Sequence, residues 1–183
     1  MIDPGTGILL IAEPFLKDPN FQRTVVLLCD HQPEGSFGFV INRLYEHKLN
    51  DLMNDMEDLP LPVYYGGPVQ MNTLHFLHQY PDLIPGGQKV MEDIWWGGDF
   101  QTAVQLLQSG EINSSKIRFF IGYSGWGEGQ LEGEMKEHSW LTVAATKKVV
   151  FHKDEKAIWP ESLKLLGGDY EQMVNYPIDP QLN

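Results

Sequence analysis

The sequence predicts an α/β chain of the α+β kind, in which a mixed, largely antiparallel sheet curls towards a barrel and is flanked by helices. Short apolar runs joined by tight turns predict the antiparallel pairing, because such a turn folds one strand back on its neighbour. Helical periodicity enters mainly after residue 98, behind most of the strands, whereas a doubly wound sheet alternates strand and helix throughout. The number of short strands favours a sheet that rolls up.

Ile8–Ala12 and residues 24–29 are continuous aliphatic or β-branched runs, the pattern of strands buried on both faces. Pro33-Glu34-Gly35 reads as a type I turn, with Pro at its second position and Gly at its fourth. Residues 36–42 then alternate strictly, with Phe37, Phe39 and Ile41 on one face and Gly38, Val40 and Asn42 on the other. These two segments make a hairpin. A short helix is expected over 50–57, and a strand over 63–65 stopped by Gly66-Gly67-Pro68. Further strands are expected over 74–80 and Gln88–Met91. The best-marked helix is 99–109: Asp99 caps it, Phe100, Ala103, Val104 and Leu107 share a face, and Gly110 stops it. Residues 116–123 alternate as a strand with Ile117, Phe119, Ile121 and Tyr123 inward. A helix over about 128–137, a strand over Trp140–Ala144 and a short helix from near Pro160 to Gly167-Gly168 follow. The tail, 176–183, carries two prolines and is expected to be extended.

With 183 residues, 42% of them hydrophobic and 21% charged, the chain is expected to fold as one domain over residues 1–183. The formal net charge of −12 repels phosphate backbones and anionic lipid surfaces, and the 13 Lys and Arg are scattered. Direct nucleic-acid and membrane partners are therefore not expected. Cys29 stands alone, so no intrachain disulfide forms, which fits a reducing compartment. The start, Met1-Ile2-Asp3-Pro4, lacks the basic segment of a signal peptide, and no apolar run reaches the ~18 residues of a membrane span. The cytoplasm is the expected location.

The most unusual segment is Gly122-Tyr123-Ser124-Gly125-Trp126-Gly127-Glu128-Gly129-Gln130-Leu131-Glu132, read as a loop between a strand and a helix. Three ligand motifs come close and fail. A dinucleotide fingerprint needs glycine where Gln130 stands, and the bulky Trp126 lies inside the loop. A nucleophile elbow around Ser124 needs glycine at Trp126. A P-loop needs Gly-Lys before Ser or Thr. Free N–H groups at a helix start can hold an anion, but Glu128 already puts negative charge there. Two readings stay open: a tight glycine connection that lets Trp126 pack, or a ligand or partner site.

In the following helix Leu131 and Met135 form an apolar stripe, with Gln130, Glu134 and His138 on or beside it. An inward carboxylate has either a structural partner, with Arg23, Arg43 or Arg118 available, or a task in binding or catalysis. Asn42-Arg43 closes a strand, where Arg43 either clamps an anion or braces the fold. The histidines lack ligand spacing; His75 and His78, three apart on a strand, fall on opposite faces. Cys29, inside an apolar strand, reads as an inert core residue. Trp95-Trp96 point to opposite faces of a strand, which brings one ring to the surface or to a partner.

The sequence resembles the YqgE/AlgH family over nearly its whole length. The likeness starts with Gly7-Ile8-Leu9-Leu10-Ile11-Ala12, Pro14, Asp18-Pro19, Phe21 and Thr24-Val25-Val26. It continues through Gly35, Gly38, Val40-Ile41-Asn42-Arg43 and Gly66-Gly67-Pro68-Val69. Gly122-Tyr123, Gly125-Trp126-Gly127, Gly129-Gln130-Leu131-Glu132 and Ser139-Trp140 carry its most distinctive part, and Leu166-Gly167-Gly168-Asp169-Tyr170 with Asn175-Tyr176-Pro177 its end. Two positions depart: Leu44 where the family has proline, and Ser124 where it has alanine, which weakens Ser124 as a nucleophile. The resemblance implies an α/β fold with a sheet rolled towards a barrel and no established enzymatic activity. It also implies a regulatory role, since members carry a transcriptional-regulator label.

The residues expected to bind a ligand or partner are Asn42, Arg43, Gly125, Trp126, Gly127, Gln130 and Glu134, with no catalytic residue, metal ligand or cofactor expected. The leading expectation is a non-catalytic regulatory or protein-interaction domain. The alternative is a small-molecule-binding protein or enzyme that uses the 122–130 loop.

Overall fold

A computed structural model of the protein describes residues 1–16, 18–19 and 21–175. Its elements in chain order are β1 (Ile8–Ala12), β2 (Val25–Gln32), β3 (Gly35–Val40), β4 (Leu44–Lys48), α1 (Leu49–Leu52), β5 (Pro62–Tyr65), β6 (Val69–His78), β7 (Gln88–Met91), β8 (Ile94–Trp96), α2 (Phe100–Ser109), β9 (Ile117–Gly127), α3 (Gln130–Lys136), β10 (Trp140–Ala144), α4 (Lys147–Val150) and α5 (Glu155–Leu166). The strands run in the order β10-β1-β2-β3-β9-β6-β8-β7, with β5 also on β9 and β4 on β5. Only β5 and β9 pair in parallel among these ladders, so the sheet is mixed and largely antiparallel.

The eleven-residue β9 positions everything else. Residues 124–127 pair with β3, while residues 117–123 pair with β6 and 119–121 with β5. The strand passes between these halves at Gly122, whose φ of +68° is a left-handed conformation. A Cβ there would lie 2.4 Å from the Gly67 carbonyl oxygen, and one on Gly67 would lie 2.3 Å from Tyr123 backbone. Two backbones therefore meet where only hydrogen fits. Beyond this crossing the sheet curls until β7 reaches β1 and β2: a Cβ on Gly7 would meet the Val90 carbonyl oxygen at 2.9 Å.

The curl encloses one core. Leu9, Leu27, Phe39, Phe120, Val90 and Ile94 fill it, and α5 adds Ile158, Trp159 and Leu163. A second core lies under α2, with Ile117, Phe119 and Ile121 of β9, and a third lies under α3 around Trp126, Leu131 and Trp140. Because residues 117–122 of β9 are buried on both sides, their alternation does not reveal which core each residue enters. Phe120, expected to face away from the interior, enters the main core.

Several elements differ from expectation. Residues 122–127 continue β9 and are not a loop, because β3 supplies the hydrogen-bonding partner. The helix over 50–57 shrinks to α1, followed by turns that bury only Met56 and Leu59. The late helix begins at Glu155, capped by Asp154, and contains Pro160 within it. β4 and α4 were not foreseen as elements, and β8, the strand on which Trp95-Trp96 were read, spans only three residues. α2 matches its signals: Asp99 accepts from the Thr102 N–H, and Gly110 closes the helix in the left-handed conformation. The tail over 176–183 lies outside the described residues.

Candidate functional site

A cleft of about 730 Å³ opens where β2, β3, β6, β8 and β9 meet. On β9, alternation puts Tyr123, Gly125 and Gly127 on one face, and the β3 register sets Phe37 opposite Gly125 and Gly35 opposite Gly127. The middle of the cleft is therefore bare backbone. Its walls are aromatic: Phe37 meets Trp96 at 4.7 Å and Tyr123 at 6.1 Å between ring centroids, both edge-on. His75 closes the set, 5.9 Å from Tyr123 at 87°. Asp30 and Gln32 of β2 and Glu34 in the hairpin turn also line the cleft.

His75 is half-buried, and that burial holds its pKa below the ordinary histidine value. Its Nε2 lies 2.9 Å from the Thr73 hydroxyl. On β2 and β3 His31 faces Ser36, with Nδ1 hydrogen-bonded to Oγ, and Ser36 faces Trp126 across to β9. His31 Nε2 is 3.8 Å from Glu132 on α3, an ion-pair distance and not a hydrogen bond. Ser124 is buried and donates to the Gly66 carbonyl. Burial drives the Cys29 thiol pKa well up, so the thiolate is not available. Among the described residues, no group of three His, Cys, Asp or Glu is placed to hold a metal ion.

Of the seven residues singled out in the sequence, Gly125, Trp126 and Gly127 line the cleft. The Trp126 ring itself is buried against Phe21 and Trp140. Gln130 stands at the strand end, where its Oε1 accepts the Gly127 N–H at 3.0 Å. Glu134 Oε2 accepts from the indoles of Trp126 and Trp140. Arg118 lies elsewhere, donating to the Val150 and His152 carbonyls behind α4, with burial lowering its pKa.

Asn42 and Arg43 are not part of the cleft lining. Asn42 stitches the end of β3 to the start of β2: its Oδ1 accepts the Val25 N–H and its Nδ2 donates to the Arg23 carbonyl. Arg43 donates to the Pro19 and Gln22 carbonyls and borders a separate shallow depression with Leu44, Tyr45, Glu46 and Tyr65.

Sequence reasoning did not single out Asp30, Gln32, Phe37, His75 and Tyr123 as site residues, although it placed Phe37 and Tyr123 on inward strand faces. The pairing of β3 with β9 joins residues about 90 positions apart, and no local pattern announces it. Trp95-Trp96 gave the one usable signal. Trp96 turns to the cleft, while Trp95 lies on the other side under Lys89.

A curled antiparallel half-barrel, with helices packed against both its faces and an aromatic cleft among β2, β3, β6, β8 and β9, defines an α+β protein. The chain belongs to the AlgH-like family, which it matches over residues 9–171. Among its relatives, a protein from Chlorobium luteolum, named UPF0301 protein, is 42% identical over 179 residues, covering 98% of this chain and 95% of that one. Another UPF0301 protein, from Cytophaga hutchinsonii, is 40% identical over 178 residues, covering 97% and 98%. The solution structure of AlgH from Pseudomonas aeruginosa superposes with a TM-score of 0.75 at 25% identity, covering 97% of this chain and 98% of that one. A crystal structure of a Corynebacterium diphtheriae protein superposes with a TM-score of 0.80 over 94% of this chain and 92% of that one; its 18% identity speaks for the fold alone.

Proposed function

We propose that this chain is a non-catalytic binding domain whose regulatory output depends on a small molecule or protein segment held in the aromatic cleft. One observation carries this reading. Gly125 and Gly127 sit in a strand, neither at positive φ, and a Cβ on either meets no backbone clash: the nearest atom to one on Gly125 is 3.6 Å away, and none lies within 4 Å of one on Gly127. The fold demands glycine at 67 and 122 but not here. What these two glycines provide is an empty floor between Phe37, Tyr123 and Trp96, and close approach to backbone is a common use of glycine at a site.

The non-catalytic part rests on the side chains that chemistry would recruit. Cys29 and Ser124 are buried, and the Ser36–His31 pair lacks the second hydrogen bond that orients a base. In this reading the chain acts as one domain in the cytoplasm. It touches neither nucleic acid nor membrane directly, in keeping with its net charge of −12, so any effect on transcription is indirect. Among the described residues, no helix is long and apolar enough to cross a membrane.

The test compares the purified wild type with Gly127→Leu, which fills the floor from an exposed strand position. Both are incubated with a bacterial metabolite extract and with lysate, and whatever co-purifies is identified by mass spectrometry. The reading expects a ligand or partner retained by the wild type and lost from the variant. Equal retention by both would reject the cleft as the site.

A further inference from the structure

We infer that the cleft selects a small organic cation, one with a substituted ammonium or similar charged head and an apolar surface. This rests on the binding role proposed above and names the ligand class. Three independent features converge on it.

The first is ring geometry. Phe37 meets Trp96 at 64° and Tyr123 at 77°, and Tyr123 meets His75 at 87°. The fourth contact of the set, His75 with Trp96, is tilted at 36° with centroids 6.5 Å apart, so the four rings surround the cleft and do not close into a stack. The π face of each ring carries negative potential, so such a set attracts a cation with diffuse charge and rejects an anion.

Charge on the lining is the second. Its carboxylates are Asp30 and Glu34, and no Lys or Arg joins them. Neither carboxylate is in an ion pair among the described residues; Asp30 only accepts from Gln32. Away from the lining, Lys89 on β7 pairs with Glu92, and Lys147 on α4 pairs with Asp93. The one titratable base in the wall, His75, is held neutral by its burial at ordinary pH. The cleft thus presents uncompensated negative charge at its edge.

Size and floor are the third. About 730 Å³ falls within the range of small-molecule pockets, roughly 300–1,000 Å³. The glycine floor at Gly125 and Gly127 gives an apolar ligand surface flat contact that side chains would block.

The experiment uses three probes of one shape and different charge: choline, its neutral isostere 3,3-dimethylbutanol, and anionic 3,3-dimethylbutanoate. Each is titrated into the isotopically labelled full chain at low salt and followed by NMR shifts of the Trp96 indole and the Gly125 amide. Choline should bind at least about tenfold more tightly than the neutral isostere, the scale of one desolvated cation–π contact. Asp30→Asn with Glu34→Gln, both away from the core, should remove most of that preference without unfolding the protein. Equal binding of choline and the neutral isostere would overturn the cation inference but leave a ligand cleft standing. Failure of all three probes would also overturn it, while the Gly127→Leu comparison decides the binding role separately.

Discussion

Trp126 donates its indole N–H to Glu134 Oε2 at 2.6 Å, and Trp140 donates to the same oxygen at 3.0 Å. One carboxylate on α3 therefore joins the end of β9 to the start of β10. Both indole rings are buried, so their donors have no water to fall back on. Glu134→Ala should cost about 2–6 kcal/mol, since it leaves two donors unsatisfied at about 1–3 kcal/mol each. Glu134→Gln keeps an acceptor oxygen and should cost only about 1 kcal/mol, the difference between a charged and a neutral acceptor. In a chain of this size each kcal/mol lowers Tm by about 2–4 °C. Thermal melts of the two variants test the order; an alanine variant as stable as the wild type would show that the bridge does not carry load.

Glycine has two different roles within β9, and alanine separates them. Gly122→Ala places a methyl 2.4 Å from the Gly67 carbonyl in a left-handed conformation. Strain and overpacking together predict a loss above about 3 kcal/mol. Gly127→Ala meets nothing and should change stability by no more than about 0.5 kcal/mol. Urea titrations of both variants give the comparison. Similar losses in the two would mean that the open glycines are structural after all.

Much of this architecture was legible because it is local. The Asp99 cap and Gly110 stop of α2, the Pro33-Glu34 hairpin and the β1 run all state their structure within a few residues. The cleft was legible only at its edge. Gly125 and Gly127 looked like a loop, since glycines without neighbours in view read as breaks, and only the distant β3 makes them strand. Glu134 was read as having either an arginine partner or a task in binding, and the groups that meet it are two indoles. An indole N–H serves as well for a half-buried carboxylate, and helical periodicity does not announce a partner on another strand.

Histidine burial predicts a pH response. His78 is fully buried; Nδ1 accepts the Tyr80 N–H at 3.1 Å, so Nε2 carries the hydrogen given to the Gly97 carbonyl at 2.9 Å. A second proton would have to sit on Nδ1, against that N–H. Burial lowers the pKa of His78, and of His75, below the reference value of 6.5. The unfolded chain therefore takes up these protons first as pH falls. The stability they favour is present above about pH 6.5 and declines below it, until the folded pKa is reached. The urea midpoint should drop between pH 7.5 and 5.5, and less so in His78→Asn, whose side-chain oxygen replaces the Nδ1 acceptor. An identical drop in that variant would exclude His78 as a cause.

Ser36 provides the sharpest check on the proposed non-catalytic role. Its hydroxyl is hydrogen-bonded to His31 Nδ1, and Glu132 lies beyond the other ring nitrogen. This is the outline of a nucleophile, base and carboxylate. Activation requires that the carboxylate fix the imidazole by a hydrogen bond of about 2.6–3.2 Å, but the Glu132 oxygen is at 3.8 Å and its side chain is half exposed to water. The His31 ring is held instead by Ser36 itself, across the β2–β3 ladder. Ser36 should therefore react with a fluorophosphonate no faster than an ordinary surface serine, and His31→Gln, outside the cleft lining, should leave ligand retention in the cleft intact. Intact-mass spectrometry after incubation with the probe reads the first expectation. A stoichiometric adduct mapped to Ser36, absent in His31→Gln, would establish an activated nucleophile and replace the binding reading with an enzymatic one.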